Sequence, residues 1–240
     1  MSKQLNNTLY VEAIKWLSDM GCDESVNVDQ RTFHGLRLTN DVIKASSFNE
    51  PKINKFNLDH INNLTDLYKY VSLYLKSNNN ILNSEFVFFD GYEAADLMII
   101  GDKPDSTDIK IGKPFQGEAG NLLNAMLKAI GYFRENTYFT NINCCNSDVE
   151  IDISLQIVSK QIAIVKPKII IMFGAEATKS LTKIDKGFLN TRGQWFDIDN
   201  IGMSSVISCI SMFHPRYILA HPKSKKESWI DLKSVREKLS

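Results

Sequence analysis

Three side chains, Phe115, Asn141 and His214, have the chemistry to hold one flat heterocycle, although they lie far apart in the chain. Phe115 follows Pro114 in the segment GKPFQGEAGNLL, residues 112–123, and offers a face on which a planar ring can stack, worth about 1–3 kcal/mol per base in single-strand binders. Gly112 and Gly117 on either side allow close backbone approach. The Asn141 amide carries an acceptor beside donors, so it can match an N–H next to a carbonyl on the ring's edge and mismatch the reverse pattern. A ring N–H of His214 can stabilise negative charge growing on a carbonyl oxygen as a bond to the heterocycle breaks. Two carboxylates, Asp102 and Asp108, can orient water and stabilise an oxocarbenium-like transition state.

Taken singly, each residue has a simpler reading. An aromatic in a loop is normally an anchor packed on the core, asparagine often caps or bridges strand ends, and a lone histidine at an apolar strand end is more often a satisfied core residue than a catalyst. Asp102 and Asp108 read equally well as ordinary loop acids, Asp102 capping a turn through Pro104. The other histidines, His34, His60 and His221, have no setting of this kind.

Convergence lifts the set above those readings. From Asp96 onward, strand-like and helix-like runs alternate: LMIIGD, GNLLNAMLKAIG, YFTNIN, a helix through Ile164, KIIIMFG, a helix at Ala175 to Leu181, a loop through Gly187 and Gly193, a strand at Val206 to Phe213, and a final helix after Pro222. Alternation of this kind implies a parallel sheet of four strands covered on both faces. Ligands of open α/β sheets sit outside the carboxyl ends of the strands. Gly101-Asp102, Asn141 and His214 each fall at such an end, so the fold would bring them to one rim.

Before that region, Asn7 to Met20 has the spacing of a surface-packed helix, with Leu9, Ala13, Trp16, Leu17 and Met20 along one face and Gly21 as a stop signal. The asparagine- and lysine-rich stretch from Ala45 to Ser84 reads as a linker containing one helix, whose Leu64, Leu67, Tyr68, Val71 and Leu75 could dock on the body. A division into an extension over residues 1–90 and a domain over 91–240 is therefore expected.

Lysine plus arginine (28) equals aspartate plus glutamate (28) among the 240 residues, so a polyanionic partner would have to meet a local patch. The tail with Lys223, Lys225, Lys226, Lys233, Arg236 and Lys238 supplies one, although alone it reads as a solvated helix face. No stretch approaches the roughly 20 apolar residues of a membrane span, and the start MSKQLNNTLY lacks the apolar core of a signal peptide. A cytoplasmic monomer without a membrane partner is expected. The four cysteines, Cys22, Cys144, Cys145 and Cys209, form no CxxC pair and read as free buried thiols.

From about Asp96 to Ser240 the sequence resembles the uracil-DNA glycosylase superfamily, most closely the family 4 type that commonly carries an iron–sulfur cluster. The resemblance rests on Gly101 to Asp108, GKPFQGEAGNLL, YFTNIN, KPKIIIMFGAEAT and HPRYILAHPKSKKESWIDL taken together. It implies a three-layer α/β/α sandwich, here with a helical N-terminal extension, that extrudes uracil from DNA and hydrolyses its glycosidic bond. Phe115, Asn141 and His214 then occupy the stacking, base-pairing and O2-binding positions, and the N3–H and O4 of uracil, not the edge of cytosine, match the Asn141 amide. Asp102 and Asp108 fall at the family's two motif acids, with Lys103 beside the base. Arg216, Lys223 and Lys225 would meet DNA, and Tyr217 or Ile218 would wedge into the duplex.

Two departures stand out. The family pattern GEAPG or GEGPG is here GDKPD, with Lys103 and Asp105 in place of small residues and a shorter acid at Asp102. Only Cys145 falls on a cluster-ligand position, with Ser154 near another, so neither cluster nor other cofactor is expected. A degenerate member that binds DNA or a flipped base without hydrolysis is the alternative. A generic nucleotide-binding α/β enzyme is disfavoured, because no GxGxxG or GxxxxGK[ST] loop is present.

Overall fold

Three of the apolar runs read above as strands, Leu97–Gly101, Thr137–Asn141 and Ile169–Phe173, lie buried along their whole length at the centre of a sheet. The computed structural model describes residues 56–79, 85–146, 149–199 and 206–239; the helix expected over Asn7 to Met20 lies outside them. In chain order the elements are α1 (Leu64–Asn79), β1 (Asp90–Gly91), β2 (Leu97–Gly101), α2 (Ser106–Ile111), α3 (Gly117–Ala129), β3 (Thr137–Asn141), α4 (Ile151–Val165), β4 (Ile169–Phe173), α5 (Ala175–Thr182), α6 (Phe188–Thr191), β5 (Trp195–Asp199), β6 (Val206–Met212), α7 (Pro215–Ala220) and α8 (Lys225–Leu239).

The sheet order is β1-β3-β2-β4-β6-β5. β3, β2, β4 and β6 are the four expected parallel strands. The sheet nevertheless has six strands and not four, because β1 and β5 add antiparallel edges on β3 and β6. β1 is two residues long, and β5 is half-exposed and ends in Asp197 and Asp199, so neither carries the continuous apolar run of a doubly covered strand. Pro215 opens the short helix α7, in whose first turn the missing proline N–H costs nothing.

Two cores flank the sheet. Met98, Ile100, Tyr138, Ile170 and Met172 point to the face covered by α1 and α4, where Leu64, Leu67, Val71 and Leu75 dock as their spacing predicts. Leu97, Ile99, Phe139, Ile171 and Phe173 point to the face covered by α3 and α8. The architecture is thus the expected three layers, with the described part of the chain before Gly91 packed into the first core. No helix among the described residues is long and apolar enough to cross a membrane.

Candidate functional site

The parallel register sets Gly101 level with Asn141, and Phe173 ends β4 beside Met212, so the carboxyl ends of the strands form one rim. A Cβ at Gly101 would lie 2.5 Å from Asn141 Oδ1 and 2.7 Å from Phe115 Cζ, so only glycine lets the amide and the ring approach each other here.

Phe115 is 4% exposed and sits at φ 55°, a left-handed conformation that a non-glycine residue keeps only when its surroundings impose it. Those surroundings are identifiable. Arg134 Nη2 donates to the Phe115 carbonyl at 2.7 Å and Nη1 to that of Pro114 at 3.2 Å, while the same guanidinium pairs with Asp90. The Phe115 ring stacks with the His214 imidazole at 5.8 Å and 19°, and Phe139 and Phe173 each stand 6.1 Å away.

Asn141 is 4% exposed, and its amide nitrogen is buried without a hydrogen-bond partner. Unsatisfied buried donors are uncommon and cost about 1–3 kcal/mol. His214 caps α7, its Nδ1 accepting the Arg216 N–H at 3.1 Å, so the ring's own proton resides on Nε2. Burial, helped by the Arg216 charge, holds the imidazole down to about 4, and the ring is neutral near pH 7.

Asp102 is seated on the N-terminus of α5, its Oδ1 accepting the Ala177 N–H at 2.7 Å. The opposite oxygen lies against Gly174, which is at φ 107° and has no room for a Cβ. Burial raises its carboxyl to about 6 against the lowering effect of the Ala177 N–H, with Glu176 nearby pushing the same way as burial. Asp108 is placed differently. It is 2% exposed, one oxygen accepts the Gln116 N–H at 2.7 Å and the other the Asp105 N–H at 3.1 Å, so it braces the loop that carries Phe115.

Asp102, Lys103, Glu176, His214, Arg216 and Tyr217 line a cleft of about 340 Å³ at the rim. Lys103 is exposed at its edge, and its carbonyl accepts from Arg216 Nη2 at 3.5 Å; that guanidinium stands 3.7 Å from Asp105. Lys223 and Lys225 are exposed. Ile218 does not face solvent. It is 1% exposed and packs inward, so of the two wedge candidates only Tyr217, 40% exposed, reaches the surface. Sequence reasoning missed Arg134, Gly174 and the Ala177 N–H. A helix start directly after KIIIMFG was the only signal for the latter two, and Arg134 had none.

A [4Fe–4S] centre, which the resemblance brings into question, needs four cysteine thiolates. Cys144, Cys145 and Cys209 are buried, and the Cys144 and Cys145 sulfurs lie 3.8 Å apart. Phe86 bridges to Cys145, and the Tyr68, Phe86 and Phe88 rings pack together at 5.4 to 5.6 Å. Ser154 buries an unpartnered hydroxyl and contributes no sulfur. No group of three or more His, Cys, Asp or Glu among the described residues is placed to hold a metal, so these residues do not fit the cluster.

A family model described as the uracil DNA glycosylase superfamily matches residues 88–233. A type-4 uracil-DNA glycosylase of Archaeoglobus fulgidus is 26% identical over 185 residues, covering 72% of this chain and 92% of that protein. One of Sulfurisphaera tokodaii is 30% identical over 160 residues, 62% of this chain and 72% of its own. One of Saccharolobus solfataricus is 30% identical over 163 residues, with 63% and 74% covered.

Proposed function

The chain belongs to the uracil DNA glycosylase superfamily, and on that premise we propose that it excises uracil from DNA by hydrolysing the N-glycosidic bond of a base flipped in at the strand-end rim, through the cleft to Phe115 and Asn141, which do not line the cleft itself. Phe115 stacks on the base. Asn141 donates from Nδ2 to O4 and accepts N3–H at Oδ1, and His214 donates Nε2–H to O2. Water adds to C1′ as the bond from C1′ to N1 breaks, and the electron pair left on N1 spreads to O2, where the His214 N–H stabilises it. Asp102 orients the water and takes its proton, a task for which a carboxyl near 6 is better matched than an ordinary one. Asp108 acts as a positioning residue through Gln116 and the Phe115 loop.

The observation that carries this reading is the buried, partnerless amide nitrogen of Asn141, beside a ring for stacking and a neutral histidine. A carbonyl acceptor on a bound ring would satisfy it. The test is incubation with an end-labelled oligonucleotide containing one uracil, followed by alkaline cleavage. We expect cleavage by the parent and losses of about 100-fold or more in Asn141→Ala and His214→Ala. An Asn141→Ala protein that excises uracil at the parental rate sinks the readout role. A parent that binds but does not cut, while Lys103→Gly cuts, establishes the binding-only alternative.

A further inference from the structure

Tyr217 lines two clefts. One is the rim cleft just described; the other, about 510 Å³, opens on its far side among Leu189, Phe213, His221 and Lys223. The Tyr217 ring lies between two others, stacked at 4.7 Å and 16° on Phe213 and at 4.2 Å and 22° on His221. The column is anchored inside by the Phe188 ring, 5.8 Å from Phe213 and edge-on to it, and by Arg192 over the Phe213 face at 5.2 Å. The His221 backbone N–H donates to the Tyr217 carbonyl at 2.8 Å, and the ring's own Nδ1 lies 3.2 Å from the same oxygen, which holds the outer ring over the middle one. A ring held on both faces is poorly suited to act as a wedge. The exposed end of the column, His221, is instead a fixed flat surface.

We propose that this second cleft binds a further nucleobase of the same DNA strand, one that flanks the flipped uracil and is not excised. The cleft has the chemistry of a nucleotide site. His221 provides an exposed ring for stacking, and Leu189, 74% exposed, provides an apolar wall. Lys223, with no ion-pair partner among the described residues, provides a cation for the phosphate. The cleft also holds an acid, Glu227, half-exposed and 3.8 Å from an Arg192 guanidinium that is bound mainly to Asp231 at 2.9 and 3.0 Å, so a phosphate would sit on the Lys223 side of the cleft. Continuity through Tyr217 is what selects the same strand: a chain leaving the rim cleft meets this one next. The Ser224 hydroxyl is spent on the His221 carbonyl at 2.6 Å, and the cleft otherwise offers ring, apolar wall and exposed charge, so the site favours an unstacked base of any identity. A single strand has no base pairs to break and less stacking to lose, so such substrates are favoured over duplex.

This inference rests on the reading of the protein as a DNA enzyme, and its test needs no excision. Fluorescence anisotropy compares a labelled twelve-residue thymine oligonucleotide with the same backbone carrying only abasic tetrahydrofuran residues. For the parent we expect the thymine strand to bind about tenfold more tightly. That ratio should fall to within about twofold in His221→Ala and be intermediate in Leu189→Ala, two exposed substitutions that leave the core untouched. A ratio unchanged in both variants overturns the second site. A scan then places one abasic residue at each position around a hydrolysis-resistant 2′-fluorodeoxyuridine. Loss of affinity at one flanking position in the parent, absent in His221→Ala, supports the proposal, and equal loss at all positions refutes it. Failure to cut uracil with the thymine ratio intact would instead count against the excision reading alone.

Discussion

Asp102 and His214 are driven in opposite directions by one cause, since burial disfavours whichever form is charged. For His214 the result is a neutral donor over the working range. For Asp102 it couples stability to chemistry. Its folded value of about 6 lies above its ordinary 3.8, so the folded state holds the extra proton and stability falls as pH rises through that window. At pH 7 the ionised carboxylate is a cost that Asp102→Asn removes, while Oδ1 can still accept the Ala177 N–H. Thermal unfolding should show the variant more stable by roughly 1–2 kcal/mol at pH 7, discounted for partial exposure, and no more stable at pH 3.5. Its excision rate should fall about 10²- to 10⁴-fold and lose the limb that rises through pH 6 in the parent. A variant no more stable at either pH would mean that the carboxyl is not strained by burial. Asn141 and His214 were legible in the sequence because residue type and strand end coincide there, and Phe115 because an aromatic stands in a glycine-flanked loop. The holders of the site were not, because Arg134 and Ala177 act through tertiary contacts 19 and 75 residues away.

Among the elements, α2 explains part of the altered GDKPD motif. Asp105 caps it, one oxygen accepting the Thr107 and Asp108 N–H groups at 2.8 Å each, and Asp108 reciprocates to the Asp105 N–H. The capping box thus fixes the acid that holds Gln116 next to Phe115. Asp105→Ala should cost about 1 kcal/mol in urea unfolding and slow single-turnover excision severalfold; unchanged stability would show that the cap is redundant. The charge pair between Asp105 and Arg216 adds little, being long and partly solvated. Central strands were readable from their continuous apolar runs. β1 was too short, β5 too polar, and α7 too brief to leave a periodic signal.

Over the whole molecule the formal charge is zero, so attraction to a polyanion must come from where the cations stand. Lys223, in the turn before α8, and Lys225, its first residue, are both exposed. Removing both, Lys223→Ala with Lys225→Ala, should lower the slope of log Kd against log salt by about 1 to 2 while leaving excision at saturating DNA unchanged. An unaltered slope would place the phosphate contacts elsewhere. The sheet also works as a wall. Phe115 packs on the face of α3 and α8, while Cys145 and the rings around it pack on the face of α1 and α4. The thiols and rings around Cys145 can therefore be exchanged without touching the packing that seats Phe115, whereas Ala177, in the same core, cannot be displaced, because its N–H holds Asp102 at the rim.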